Sequence, residues 1–309
     1  EFEDPEHCKK QDPKHAIMWI ESLFLFALVW TVGNSVNADG REKFNSRLRV
    51  LVKGEDKDWP RQRKLVASLP EGGTVYNFFF EKKERGRWRQ WAELVPRSVE
   101  FAPTMKFSQM LVPTVDCVRY SYMLERAVDK GHPLMLVGPT GTGKSVYAAD
   151  VLNKLEKEKF NVILMGFSAQ TQASVGQDII EGKLDKRRKG VYGPQLGKKA
   201  IVFVDDVNMP QVEVYGAQPP IELIRQAMEF SGWYDLKEKM WRQNVDVQYV
   251  VAMGPPGGGR NHVSPRFLRH FHIVGMTEVE SDSMVHIFQS ILDWHCKNGG
   301  LSGQSAEIA

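Results

Sequence analysis

The chain has 309 residues, enough for about two ordinary domains and long enough to bury roughly three-quarters of its unfolded surface. With 42% hydrophobic and 26% charged residues it has the composition of a globular protein, which excludes collagen-like, coiled-coil and wholly disordered chains. Its net charge of +3 divides as 19 basic against 16 acidic residues in 1–110 and 22 against 22 in 111–309, without the basic surplus of a nucleic-acid binder.

Taken in chain order, residues 13–33 predict a helix, with Pro13 near its start and Gly33-Asn34 as its stop. Ala16–Val32 nears membrane-spanning length, but Glu21 and Ser22 interrupt it and basic flanks do not lie close to both ends. A helix packed on more than one side is expected, and no membrane partner. Residues 39–52 predict an amphipathic helix on Phe44, Leu48 and Leu51. The segment GGTVYNFFFEKKERGRWRQWAEL predicts a β-hairpin turning near Glu84–Gly86. Its run Lys82–Trp91 mixes basic and aromatic residues, as single-stranded nucleic-acid binders do. A charged hairpin with Trp88 or Trp91 packed inward is the expectation, and no nucleic-acid partner. Residues 96–113 read as connecting chain punctuated by Pro96, Pro103 and Pro113.

From Val115 helices and strands alternate. Helices are expected at 115–129, 144–158, 171–181, 219–230 and 280–295, and strands at 132–138, 161–167, 198–208 and 245–254. A short helix running into a last strand is expected over 265–276. Short apolar runs separated by helices define an α/β class with a parallel sheet covered on both faces. Lys186–Lys189 reads as a solvated loop. Cys8, Cys117 and Cys296 lie more than a hundred residues apart, which fits neither a disulfide framework nor a local metal cluster and suits a reducing compartment. A start at Glu1 rather than Met reads as a fragment or processed product.

Gly138-Pro139-Thr140-Gly141-Thr142-Gly143-Lys144-Ser145 matches GxxxxGK[ST] at every fixed position. Glycines let backbone N–H groups curl around a phosphate where Cβ atoms would obstruct them, and the helix from Lys144 aims its positive end at the same anion. Lys144 is expected to reach the β/γ oxygens, and the Ser145 hydroxyl to ligate Mg²⁺. Binding of ATP or GTP follows. The second half of the site is a carboxylate at the end of a neighbouring strand, which IVFVDD (201–206) supplies. Asp205 is the expected Mg²⁺ carboxylate, and Asp206 falls where a general base polarises the attacking water.

The Asp205 strand running into DDVNMPQVEVYGAQPPIELIRQ, with VPTVDCVRYSYML (112–124) and VAMGPPGGGRNHVSPRFLRHF (251–271), resembles the dynein heavy chain, in particular the third AAA+ module of axonemal dyneins. HAIMWIESLFLFALVWTVG (15–33) and EGGTVYNFFFEKK (71–83) look like the end of the preceding module. The resemblance implies an AAA+ P-loop fold preceded by a smaller helical subdomain with a hairpin. Residues 1–110 would be the small subdomain of the preceding module, 111–276 the large subdomain, and 277–309 the start of the next small subdomain. The sensor-2 element is expected beyond Ala309.

What it implies for function is an ATP-binding regulatory module in the ring of a microtubule motor of cilia or flagella, holding ATP/ADP and Mg²⁺. The alternatives are a module that keeps nucleotide as a fixed structural cofactor, or a P-loop NTPase acting on nucleic acid. Implied partners are neighbouring AAA+ modules of the same heavy chain, and microtubules and intermediate/light chains through the full motor. The implied location is cytoplasm and cytoskeleton, in the axoneme. By matching position, Val112, Pro113 and Thr114 run past the adenine, and Arg266 and Arg269 sit where arginine fingers act on a neighbouring module.

Two departures stand out. AAA+ proteins usually carry Glu where this chain has Asp206, which pulls the carboxylate back by more than an ångström, about a C–C bond, and can cost roughly a hundredfold in rate. The sensor-1 place falls on Met253-Gly254, which offers no side-chain hydrogen bond; Asn261 could substitute if the GPPGGGR loop folds back. Slow hydrolysis, or none, is therefore expected.

Overall fold

In the computed structural model residues 13–60, 65–82, 86–96, 101, 102, 104–107 and 110–297 are described. They form two compact units, one running to Val118 and resuming at Glu280, the other Arg119–Val279.

The first unit is built on aromatic contacts. α1 (Pro13–Thr31) is long and apolar enough to cross a membrane by those measures alone. In the fold its Trp19, Leu25, Val29 and Trp30 are buried, while Ile20, Phe24 and Val32 stay exposed. The carboxylate that interrupts the apolar run has a structural use: Glu21 accepts the backbone N–H groups of Val66 at 2.6 Å and Ala67 at 3.0 Å. α2 (Ala38–Lys53) starts at Asn37, whose side chain accepts the Gly40 N–H at 2.9 Å.

β1 (Phe78–Glu81) and β2 (Arg87–Gln90) pair antiparallel, Phe80 opposite Trp88. The expected hairpin is present; positions 84 and 85 of its turn lie outside the described residues. Trp91 is fully buried, stacked on Phe79 at 4.6 Å and edge-on to Trp30 at 6.4 Å. Arg89 donates to Glu81 at 3.0 Å and Glu93 at 2.8 Å. The basic–aromatic run is thus a packed hairpin whose arginine faces carboxylates.

In the second unit the apolar runs 134–136, 200–204 and 249–253 bury both their faces, as the centre of a parallel sheet requires, while Leu164 in the run 161–167 stays exposed. β3 (Leu134–Val137), β4 (Phe160–Gly166), β7 (Lys199–Asp205), β10 (Val247–Met253) and β11 (His272–Gly275) form one parallel sheet, ordered β11-β3-β10-β7-β4. α3 (Val115–Lys130) leads into β3, and α4 (Lys144–Asn153), α5 (Ala173–Glu181), α6 (Pro219–Phe230) and the one-turn α7 (Pro265–Leu268) lie between the strands. Met135, Val202, Val204, Tyr249 and Val251 pack with Ile180, Ile221, Ile224, Trp233 and Phe267 in one core. Their strand neighbours Leu134, Leu136, Ile201, Phe203 and Val250 alternate to the opposite face and are equally buried. Each such side chain contributes about 1.5–3 kcal/mol.

The strand order positions the site. β10 lies between β3 and β7, so three neighbouring strand ends, about 5 Å apart, carry the glycine loop, Gly254 and Asp205.

A second, four-stranded sheet has no counterpart in the sequence reading. β5 (Asp185–Arg188), β6 (Val191–Gly193), β8 (Gly232–Tyr234) and β9 (Trp241–Asn244) pair in the order β5-β6-β9-β8. The solvated-loop expectation for Lys186–Lys189 is corrected, because Lys186, Arg187 and Arg188 are strand residues. Tertiary partners hold this charged run: Arg187 donates to the Pro194 carbonyl at 2.9 and 3.1 Å and to Asp246 at 2.6 Å. In the first unit α8 (Ser281–His295) follows, its Trp294 Nε1 donating to the Phe101 carbonyl at 3.1 Å.

Candidate functional site

β3 hands the chain to Gly138–Gly143, where Gly141 and Gly143 take φ of 85° and 81°. Gly143 has no room for a side chain: a Cβ there would meet the Tyr147 ring at 2.6 Å. α4 starts directly after it, with no side-chain oxygen capping its first amides. An uncapped helix start presents N–H groups and the positive end of the dipole to an anion. Two contacts fix the loop: Gly138 N–H donates to the Met253 carbonyl at 3.2 Å, and Thr142 Oγ1 to the Pro139 carbonyl at 2.9 Å.

Lys144 points inward. Its Nζ donates to the Gly138 carbonyl at 2.8 Å, the Pro139 carbonyl at 2.6 Å and Thr142 Oγ1 at 3.4 Å. The side chain is buried, and burial lowers its pKa; Arg260 adds to that, while Asp205 and Asp206 oppose it. The ammonium borrows main-chain carbonyls, and anionic phosphate oxygens are stronger acceptors than these. Thr140 and Gly141 are exposed at the tip, and the Ser145 hydroxyl makes no hydrogen bond among the described residues.

β7 delivers the carboxylates. Asp205 closes the strand and its Oδ1 accepts the Asp206 N–H at 2.9 Å. Asp206 stands in the left-handed region at φ 50°, sparsely populated for a non-glycine residue. The chain then stays on the neighbouring strand, Val207 N–H donating to the Ala252 carbonyl at 3.0 Å. An uncapped helix start, a buried ammonium, a free hydroxyl and a strand-end carboxylate together fit a nucleoside polyphosphate with Mg²⁺.

The segment after β10 does fold back, with Gly257 and Arg260 exchanging backbone hydrogen bonds at 3.0 and 3.1 Å. Asn261, which could have substituted on such a fold-back, instead donates its Nδ2 to the Pro210 carbonyl at 2.8 Å. The side chain laid against Gly254 is that of Arg260, which the sequence reading missed. A Cβ on Gly254 would lie 2.4 Å from Arg260 Nε and 2.5 Å from its Cδ. Arg260 Nη2 stands 3.6 Å from Asp206 Oδ1. The signal available was that Arg260 is the charged residue of GPPGGGR, just beyond the central strand.

The loop, Lys144, Ser145, Asp205 and Asp206 belong to one unit. Val112, Pro113 and Thr114 belong to the other, where Val112 is buried and Thr114 Oγ1 accepts the Cys117 N–H at 3.2 Å, starting α3. Arg269 donates to Glu229 at 2.5 Å. Arg266 is exposed, and its guanidinium has no partner among the described residues.

A parallel sheet with a strand inserted between the loop strand and the carboxylate strand, plus this loop, defines an AAA+ P-loop fold. A family model described as "P-loop containing dynein motor region" matches residues 99–279, and one described as "Dynein heavy chain AAA lid domain" matches residues 1–93. The chain belongs to the dynein heavy chain family. It is similar to dynein axonemal heavy chain 3 of Homo sapiens, 43% identical over 304 residues, which are 97% of this chain and 7% of that protein. It is also similar to dynein axonemal heavy chain 12 of Mus musculus, 44% identical over 286 residues, 91% of this chain and 9% of that protein. With dynein axonemal heavy chain 1 of Homo sapiens it shares 40% identity over 288 residues, 88% of this chain and 7% of that protein. The chain therefore spans less than a tenth of the length of each of these relatives.

Proposed function

We propose that this chain is the nucleotide-binding third AAA+ module of an axonemal dynein heavy chain, with the lid of the preceding module ahead of it. In this reading it binds ATP or ADP with Mg²⁺ and turns ATP over slowly. The observation that carries it is the buried Lys144 ammonium inside a left-handed glycine loop at an uncapped helix start. Lys144 and the amides of Gly141–Ser145 hold the phosphates; Ser145 and Asp205 hold Mg²⁺, which supplies charge neutralisation at the β/γ oxygens when bound. Asp206 orients the attacking water. Arg266, exposed and unengaged, is the better-placed of the two arginines to act on a neighbouring module, because Arg269 is tied to Glu229.

Slow turnover follows from the short Asp206 side chain and the lack of a polar side chain at Gly254. The pairing of Asp206 with Arg260 favours the second reading, ADP retained as a structural cofactor. As part of a motor ring the module would work with its neighbours, microtubules and the associated chains, in the cytoskeleton of a cilium or flagellum. Asp206→Glu tests the catalytic half: in the full-length chain it should raise turnover at this site about tenfold or more, by restoring water positioning. Unchanged turnover with permanently retained nucleotide would favour the structural-cofactor reading.

A further inference from the structure

We propose that Arg260 reads the γ-phosphate of this site in cis: it pairs with Asp206 when no γ-phosphate is present, and exchanges that carboxylate for the γ-oxygens of a triphosphate. This rests on the nucleotide reading above and adds to it the group that tells ATP from ADP.

Four observations converge. Arg260 is delivered to the strand end between the glycine loop and Asp205 by a tight turn with left-handed glycines at 257, 258 and 259. Its side chain lies where Gly254 has no side chain, so close that any Cβ would collide with it. Its Nη2 is within ion-pair distance of Asp206 Oδ1, but at 3.6 Å the contact is too long for a hydrogen bond, and Nε is buried with no partner. Finally, the Arg260 charge adds to burial in lowering the pKa of the Lys144 ammonium, so the two cations face the same space. Two cations converge on one strand edge, Arg260 with a donor unsatisfied and Lys144 held only by neutral oxygens, and a polyanion lying beside both relieves them.

The geometry also couples recognition to reaction readiness. The carboxylate that Arg260 holds is the one placed to orient water. Moving the guanidinium to a γ-oxygen frees Asp206; loss of the γ-phosphate returns it. A planar guanidinium suits this exchange, because it meets carboxylate and phosphate oxygens with the same paired donors.

The test uses the full-length chain and equilibrium fluorescence titration with labelled ADP and a labelled non-hydrolysable ATP analogue, so turnover plays no part. Arg260→Ala should weaken the ATP analogue about tenfold or more, as loss of a charge-assisted phosphate contact does, and leave ADP within about twofold. Arg260→Lys should recover part of the loss. Asp206→Asn, which releases Arg260, should shift preference the other way, toward the ATP analogue. Equal losses for both nucleotides in Arg260→Ala, or no loss, overturn the inference, as does Asp206→Asn weakening both, which a purely structural latch would produce. A wild type that binds neither nucleotide overturns the nucleotide reading itself, and the inference with it.

Discussion

One methylene shorter than glutamate, Asp206 keeps its carboxylate near the strand end, and a φ of 50° takes the backbone out of the extended line there. The shortened side chain was legible in the sequence. Its partner was not: Arg260 comes back only through the backbone of a glycine turn, which no apolar period or fixed-position motif encodes. Asn261, the polar side chain that a folded-back loop could have brought to the site, is held by the Pro210 carbonyl instead. A different residue gives a pH signature. Burial, with His132 adding, holds the His272 pKa below the ordinary imidazole value of 6.5. The folded chain therefore keeps His272 neutral while the unfolded chain protonates it, so the unfolded state binds more protons in acid. That contribution is complete above about pH 6.5 and is lost as pH falls below it. His272→Gln should flatten the fall in urea-melt stability below that pH; an unchanged slope would contradict the assignment.

At the scale of elements, the parallel sheet was legible because LMLV, AIVFV and VQYVVAM are apolar runs that only a doubly covered sheet can bury, with NVILM as an apolar edge strand that leaves Leu164 exposed. The helix starting at Lys144 ends at Asn153, short of the expected 158. The second sheet was not legible, since DKRR and WRQN carry charge where a strand signal needs apolar alternation. Tertiary hydrogen bonds replace that signal. Glu181, closing α5, accepts from Trp233 Nε1 at 2.7 Å, Gln177 Nε2 at 2.9 Å and Arg242 Nη1 at 2.6 Å, joining the helix to β8 and β9. Glu181→Ala should cost about 1–3 kcal/mol, by leaving the indole N–H of fully buried Trp233 without an acceptor. Glu181→Gln should cost less, since its amide oxygen still accepts. A thermal midpoint unmoved by Glu181→Ala would show that the sheet stands without this node.

For the whole molecule, the family was legible because long segments around the phosphate loop carry it, and the matches at residues 1–93 and 99–279 agree. Site chemistry was legible only as far as local motifs reach: loop, ammonium, hydroxyl and first carboxylate, but not the returning arginine. The account turns on Lys144 and its loop gripping a polyphosphate. The most direct measurement is a fluorescence titration of the full-length chain with labelled ATP and Mg²⁺, focused on this site by comparison with Lys144→Ala. Saturable binding is expected, weakened about tenfold or more in Lys144→Ala, the loss typical of a phosphate-bound cation. Wild-type and Lys144→Ala isotherms that coincide would contradict it.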